Sequence, residues 1–140
     1  MLIGEYYSKI GDKNRTALPK NLRDDLEGSI YITRGYEKAL IILDEARWQR
    51  LLQIVETRPF FNRTVRDTKR FLAGGARKLD LDAQGRFIIP ENLIEYGNIK
   101  KDLVFVGIVD WIELWDLDMW KTKINDLSEN SAEIAEKLAA

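Results

Sequence analysis

Two stretches of the chain decide how it folds: G-D-K-N-R-T-A-L-P-K-N-L at residues 11–22 and D-A-Q-G-R-F-I-I-P-E-N-L at residues 82–93. Both carry R-x-x-x-P-x-N-L, at Arg15, Pro19, Asn21 and Leu22 and again at Arg86, Pro90, Asn92 and Leu93. Aligning the arginines sets an offset of 86 − 15 = 71. At that offset Gly4 meets Gly75, Ile10 meets Leu81, Lys13 meets Gln84 and Asn14 meets Gly85. Beyond Leu22 the second copy has one extra residue. Gly35 then meets Gly107, Leu40 meets Ile112, Asp44 meets Asp116 and Trp48 meets Trp120. Because the matches fall on special residue types, the chain reads as an internal duplication of about 45 residues per copy.

Each copy predicts the same succession of elements. A strand leads into a tight turn at Lys13-Asn14 or Gln84-Gly85, where Asn and Gly both tolerate a left-handed backbone and so replace one another. A second strand follows, R-T-A-L or R-F-I-I. Proline then opens a short helix, since its fixed φ suits the first helical turn and its missing N–H costs nothing there. That helix is expected over K-N-L-R-D-D-L, closed by Glu27-Gly28, and over E-N-L-I-E-Y, closed by Gly97-Asn98. Two more strands come next: S-I-Y-I-T and A-L-I-I-L in the first copy, D-L-V-F-V-G-I and W-I-E-L-W in the second. After the first copy, Trp48, Leu51, Leu52 and Val55 share one helical face. Pro59 stops that helix, and N-R-T-V-R-D-T-K-R-F-L-A predicts a second, basic one ending at Gly74-Gly75. Residues 117–140 predict helix in two pieces with a break near Ser128 to Ser131, the last piece carrying Ile134 and Leu138 on one side.

Neither copy buries its apolar strands alone at about 45 residues, whereas two copies intertwined or packed face to face share one core. The expected fold is therefore mixed α/β with a mainly β core and flanking helices. Its parts are repeat 1 over residues 5–46, a helical, basic connecting segment over 47–74, repeat 2 over 75–118 and a helical tail over 119–140. No apolar run approaches the roughly 20 residues of a membrane span, and M-L-I-G-E-Y-Y does not look like a secretory signal, which is compatible with a cytosolic address. The chain has no cysteine, hence no disulfide framework, and no histidine, the commonest acid–base group and metal ligand. Those absences and the repeat disfavour an enzyme. No cofactor, no metal and no small-molecule substrate are expected. Asp80 with Asp82, or Asp116 with Asp118, read more simply as a strand's solvent face than as metal ligands.

The formal net charge of −1 hides a division along the chain. Residues 47–78 carry Arg47, Arg50, Arg58, Arg63, Arg66, Lys69, Arg70, Arg77 and Lys78 against Glu56 and Asp67, while the chain turns acidic after Asp116. Such a segment is either a solvated helix face or a surface that attracts a polyanion. The sharper candidates are the two turns. If both project on one side of the shared core, Arg15 and Arg86 form a pseudo-symmetric pair with Lys13 beside one of them. A guanidinium holds a phosphate, or the O6/N7 edge of guanine, with two hydrogen bonds. The rival reading is structural: Asp82 pairs with its own Arg86. Trp111, Trp115 and Trp120 read as core or subunit-interface packing.

The doubled turn–strand–proline–helix unit, seen most fully in D-A-Q-G-R-F-I-I-P, resembles the MraZ proteins, which contain two SpoVT-AbrB repeats. M-L-I-G-E, R-F-L-A-G-G-A and E-L-W-D fit that family, and the resemblance covers nearly the whole chain, suggesting mollicute-like relatives. It implies an AbrB-like swapped-hairpin barrel, a pseudo-dimer within one chain. It also implies a bacterial DNA-binding transcriptional regulator of cytoplasm and nucleoid, assembled into a homo-oligomeric ring. Such proteins bind tandem direct repeats in double-stranded DNA upstream of their own division and cell-wall operon. By this resemblance Lys13, Asn14, Arg15, Gln84, Gly85 and Arg86 are the DNA-binding residues. Each family repeat carries D-x-x-x-R, which Asp82 and Arg86 match. In the first copy Gly11 holds the aspartate position, and Asp12, one residue on, is the candidate brace for that turn. The alternative is an antitoxin-like protein-interaction module of the same fold, gripping a partner through its helical tail.

Overall fold

The first strand of each copy hydrogen-bonds to the third strand of the other, so neither copy closes without its twin. The computed structural model describes residues 1–56 and 60–140. Pro59, expected to stop a helix, and Arg58 of the basic segment lie outside the described residues. In chain order the elements are β1 (Leu2–Lys9), a tight turn (Asp12–Asn14), β2 (Arg15–Ala17), α1 (Lys20–Arg23), β3 (Ile30–Arg34), β4 (Leu40–Asp44), α2 (Glu45–Val55) and α3 (Arg63–Leu72). There follow β5 (Arg77–Leu79), β6 (Arg86–Ile88), α4 (Glu91–Tyr96), β7 (Asp102–Val109), β8 (Ile112–Asp116) and α5 (Leu117–Ala139).

Six strands form an antiparallel sheet in the order β1-β7-β8-β4-β3-β5, while β2 and β6 pair in a separate ribbon. The exchange is explicit in the register, with β1 running along β7 from Leu2↔Val109 to Lys9↔Asp102 and β5 lying on β3. A pseudo-two-fold axis passes through Ile41↔Glu113, flanked by Leu40↔Leu114 and Ile42↔Ile112, and through Thr16↔Phe87 in the ribbon. The expected mixed α/β, duplicated fold is the one observed.

Alternation along the strands sorts the side chains into two cores. On the inner face Ile30, Ile32, Leu40, Ile42, Leu103, Phe105, Ile112 and Leu114 pack beneath the ribbon and short helices, against Leu18, Leu22, Phe87, Ile89 and Leu93. On the outer face Ile41 and Leu43 meet Trp48 and Leu72 of α2 and α3, and Val104 and Val106 meet Trp115 and Trp120. The ribbon and the short helices α1 and α4 thus lie on one side of the sheet, and α2, α3 and α5 on the other.

The repeated aspartates have a structural reason. Asp44 accepts hydrogen bonds from the N–H groups of Arg47 and Glu27 (3.1 and 3.2 Å), capping α2. Asp116 does the same for Met119 and Lys100 (3.4 and 3.2 Å), capping α5. Each carboxylate joins a strand end, a helix start and the loop after the short helix of its own copy, and both are buried.

The structure corrects three expectations. The helix expected over residues 20–26 ends at Arg23, and the chain continues in tight turns closed by Asp25 N–H to Leu22 O and Leu26 N–H to Arg23 O. The copies differ by two residues rather than one at the third strand, where Leu103 is the counterpart of Ile30 (103 − 30 = 73), because α4 is longer than α1. The offset returns to 72 in β8, so Gly35 and Gly107 are not equivalent. Finally, α5 runs unbroken through Ser128–Ser131. Its polar side chains bond back onto the helix: Asn130 Nδ2 donates to the Asp126 carbonyl at 3.0 Å and Ser131 Oγ to that of Ser128 at 3.3 Å.

Candidate functional site

The two arginine turns meet because their strands pair with each other. In the ribbon Arg15 faces Ile88, Thr16 faces Phe87 and Ala17 faces Arg86. Directly opposed residues in an antiparallel pair point to the same side, as do alternate residues along one strand. Arg15 and Arg86 therefore share one face, diagonal to each other. Thr16 and Phe87 fill the other face and are 5% exposed. Each strand also holds the opposite turn: Leu18 N–H donates to the Gly85 carbonyl and Ile89 N–H to the Asn14 carbonyl, both at 2.9 Å.

Although related by the pseudo-symmetry, the turns are built differently. In the second, Asp82 Oδ1 accepts the N–H of Gln84 (2.9 Å) and of Arg86 (2.8 Å), while its Oδ2 accepts from Arg86 Nε at 2.6 Å. These bonds hold the Asp82 carboxyl below its ordinary value of 3.8, the Arg86 N–H having the largest effect, then the Arg86 guanidinium. Arg86 Nη2 also reaches Gln84 Oε1 at 3.4 Å. Gly85 supplies the left-handed residue that returns the chain to the strand (φ 76°).

The first turn has Gly11 where the second has Asp82, and no carboxylate organises it. Two consecutive residues, Lys13 and Asn14, take positive φ (59° and 60°). Asp12 does not brace Arg15 with its side chain. Shifted by one residue, it offers its backbone carbonyl to the Arg15 N–H instead. Among the described residues Arg15 and Lys13 have no ion pair, and both are exposed. Of the two arginines, Arg86 is paired with Asp82, and among the described residues Arg15 has no carboxylate partner.

Two neighbours of the turns are not legible from the motif. Asn14 Nδ2 donates to Glu91 Oε2 on α4 at 3.0 Å. Gly85 is buried because the Arg23 side chain lies across it, so a Cβ at Gly85 would stand 2.8 Å from Arg23 Cδ and 2.9 Å from its Cζ. The sequence signal for both was a mismatch between copies, Arg23 standing where the second copy has Ile94, and Glu91 where the first has Lys20. The basic connecting segment is not part of this surface. Helix α3 packs on the outer face of the sheet, and several of its charges are paired: Arg63 and Arg70 with Asp67, and Lys69 with Glu56. Asp116, expected on a strand's solvent face, is instead buried, because both its carboxylate oxygens accept backbone N–H groups at the start of α5.

A family model described as "MraZ protein, putative antitoxin-like" matches the chain twice, over residues 1–71 and 72–140. The chain is 36% identical over 139 residues to a protein of Clostridium tetani named transcriptional regulator MraZ, covering 99% of this chain and 97% of that one. A protein of the same name from Clostridium beijerinckii is 37% identical over 138 residues, covering 99% and 96%. One from Roseiflexus castenholzii is 34% identical over 139 residues, covering 99% and 97%. With both halves matched and full-length relatives above 30% identity, the chain belongs to the MraZ family.

Proposed function

We propose that the chain is a sequence-specific DNA-binding transcriptional regulator whose β2–β6 ribbon enters the major groove, and not an enzyme. The observation that carries this reading is the pair of exposed guanidinium groups on one face of a two-stranded ribbon, one of them without a carboxylate partner among the described residues. A two-stranded ribbon is one of the two elements that fit the major groove, and arginine is its commonest reader of guanine. Lys13 and Asn14 on one turn and Gln84 on the other lie beside the arginines, placed for phosphate or base-edge contact. The names of the relatives support a regulator.

One ribbon touches few base pairs, so affinity requires several subunits acting together on tandem direct repeats upstream of the operon that holds this gene. Assembly into a homo-oligomeric ring supplies them. Helix α5 supports self-assembly. Leu117, Trp120, Ile124, Leu127, Ser131, Ile134 and Leu138 recur at alternating spacings of three and four, a coiled-coil stripe. Trp120 is 5% exposed on the chain's own sheet, but Ile134 is 47% and Leu138 90% exposed. The same stripe favours the second reading, an antitoxin-like module whose tail holds a different protein. Among the described residues no helix is long and apolar enough to cross a membrane, and the reading places the protein in the cytoplasm, on the nucleoid.

The test is a gel-shift titration with fragments carrying one or several copies of the upstream repeat. The reading predicts much tighter binding to the multi-copy fragment, weakening steeply with salt. Equal affinity for the two fragments contradicts the multi-subunit mechanism. Recovery of a stoichiometric heterologous partner on the tail, with no DNA binding, favours the module.

A further inference from the structure

The pseudo-symmetric ribbon is flanked by unequal neighbours. Beside the second turn lies Arg23, the last residue of α1, whose side chain crosses the buried Gly85 and covers the turn's backbone. Among the described residues its guanidinium has no carboxylate or carbonyl partner, although the side chain is half-buried. None of its nitrogens is buried without a partner, so its donors open to solvent beside the turn, where an anionic acceptor can reach them. At the equivalent place beside the first turn the chain has Ile94, which packs against the core and carries no charge. That turn is flanked instead by an acid, Glu91, bonded to Asn14.

We infer that Arg23 is a third DNA-contacting arginine, a phosphate clamp on the second-turn side only, and that it gives an otherwise two-fold-symmetric ribbon a direction on DNA. The inference rests on the DNA-binding reading above. A ribbon with equal ends favours a palindromic site, since the two-fold of the protein is mirrored in the site it reads. Here one end presents Arg23 beside the Asp82-held Arg86, and the other presents a loose Arg15 with Glu91 nearby. Arg23 adds a cation on the second-turn flank only, while Glu91 adds an acid beside Lys13 and Arg15 on the first-turn flank, so the two ends meet the DNA backbone differently. The site each subunit occupies is therefore asymmetric, which suits repeats arranged head to tail.

The experiment uses the full chain. Duplexes selected by the wild-type protein from a random-sequence library serve as probes, bound in fluorescence anisotropy titrations at several salt concentrations and mapped by phosphate ethylation interference. Arg23→Ile installs the residue of the other copy, and Arg23→Lys keeps the charge if isoleucine impairs folding. The expected result is about a 10-fold loss of affinity for Arg23→Ile, a salt slope shallower by about one, and loss of interference at one end of the site only. Arg23→Lys should retain most of the affinity. Unchanged affinity and an unchanged two-ended interference pattern for Arg23→Ile overturn the clamp and leave the DNA-binding reading intact. A palindromic selected site overturns the directional role. If the wild-type protein enriches no duplex, the DNA-binding reading itself fails, and the clamp with it.

Discussion

Arg15 and Arg86 stand diagonally on one face of the β2–β6 ribbon, yet among the described residues only Arg86 of the two is tied to a carboxylate. The same side chain thus has two jobs in one molecule. Arg86 is part of the turn's own hydrogen bonding, whereas Arg15 contributes nothing to folding that its surroundings reveal. Replacing Arg15 with alanine should leave the urea midpoint of unfolding unchanged, and replacing Arg86 should lower it. Equal midpoints for the two variants would contradict the asymmetry.

The Asp82 carboxylate makes the second turn sensitive to acid. Its folded pKa lies below the ordinary 3.8, so the stabilisation it gives is fully present above that value and is lost as pH falls through the folded one. A carboxyl-carbon NMR titration should show Asp82 titrating below 3.8, and Asp82→Asn should remove that part of the acid sensitivity. An Asp82 that titrates at or above the ordinary value contradicts the clamp on Arg86.

Lacking that carboxylate, the first turn folds with Lys13 in a left-handed conformation, which costs an L-residue with a side chain about 1–2 kcal/mol. Lys13→Gly removes this strain, partly offset by the larger entropy of glycine in the unfolded chain, for a net gain of about 0.5–1 kcal/mol. Chemical denaturation measures it, and a destabilised variant would show that the turn is not strained. DNA affinity should fall in the same variant, since a cation is lost.

The buried cap of α5 should matter more than any surface pair. Asp116→Ala leaves the N–H groups of Met119 and Lys100 without their acceptor and should cost about 2 kcal/mol. Urea unfolding checks this, with Asp118→Ala, on the exposed first turn of the same helix, as the near-neutral control.

The duplication made most of this architecture readable. Residues that repeat, the prolines before the short helices, Asp44 with Asp116 and Trp48 with Trp120, each mark a position where backbone or core geometry recurs. A shared core followed from burial, since strands this apolar are not covered by one copy alone, but burial left intertwined and face-to-face packing equally open, and the strand exchange is seen only in the register. The departures came from features that act through space. Nothing local says that Asn130 and Ser131 turn their side chains back onto α5 rather than breaking it. That Asp12 turns its carbonyl and not its carboxylate toward Arg15 depends on a turn type set by the absence of an aspartate at Gly11. Arg23 left only one trace, its mismatch with Ile94, because no motif contains it and its importance depends on which turn it crosses.

The most direct test of the central claim is the affinity of the Arg15→Ala, Arg86→Ala double variant for duplex DNA selected by the wild-type protein, measured by anisotropy with circular dichroism as the folding control. At about 1–3 kcal/mol of base discrimination per arginine, the folded double variant should bind at least about 30-fold more weakly than wild type. A folded double variant that binds as tightly as wild type would show that the ribbon is not what the DNA touches.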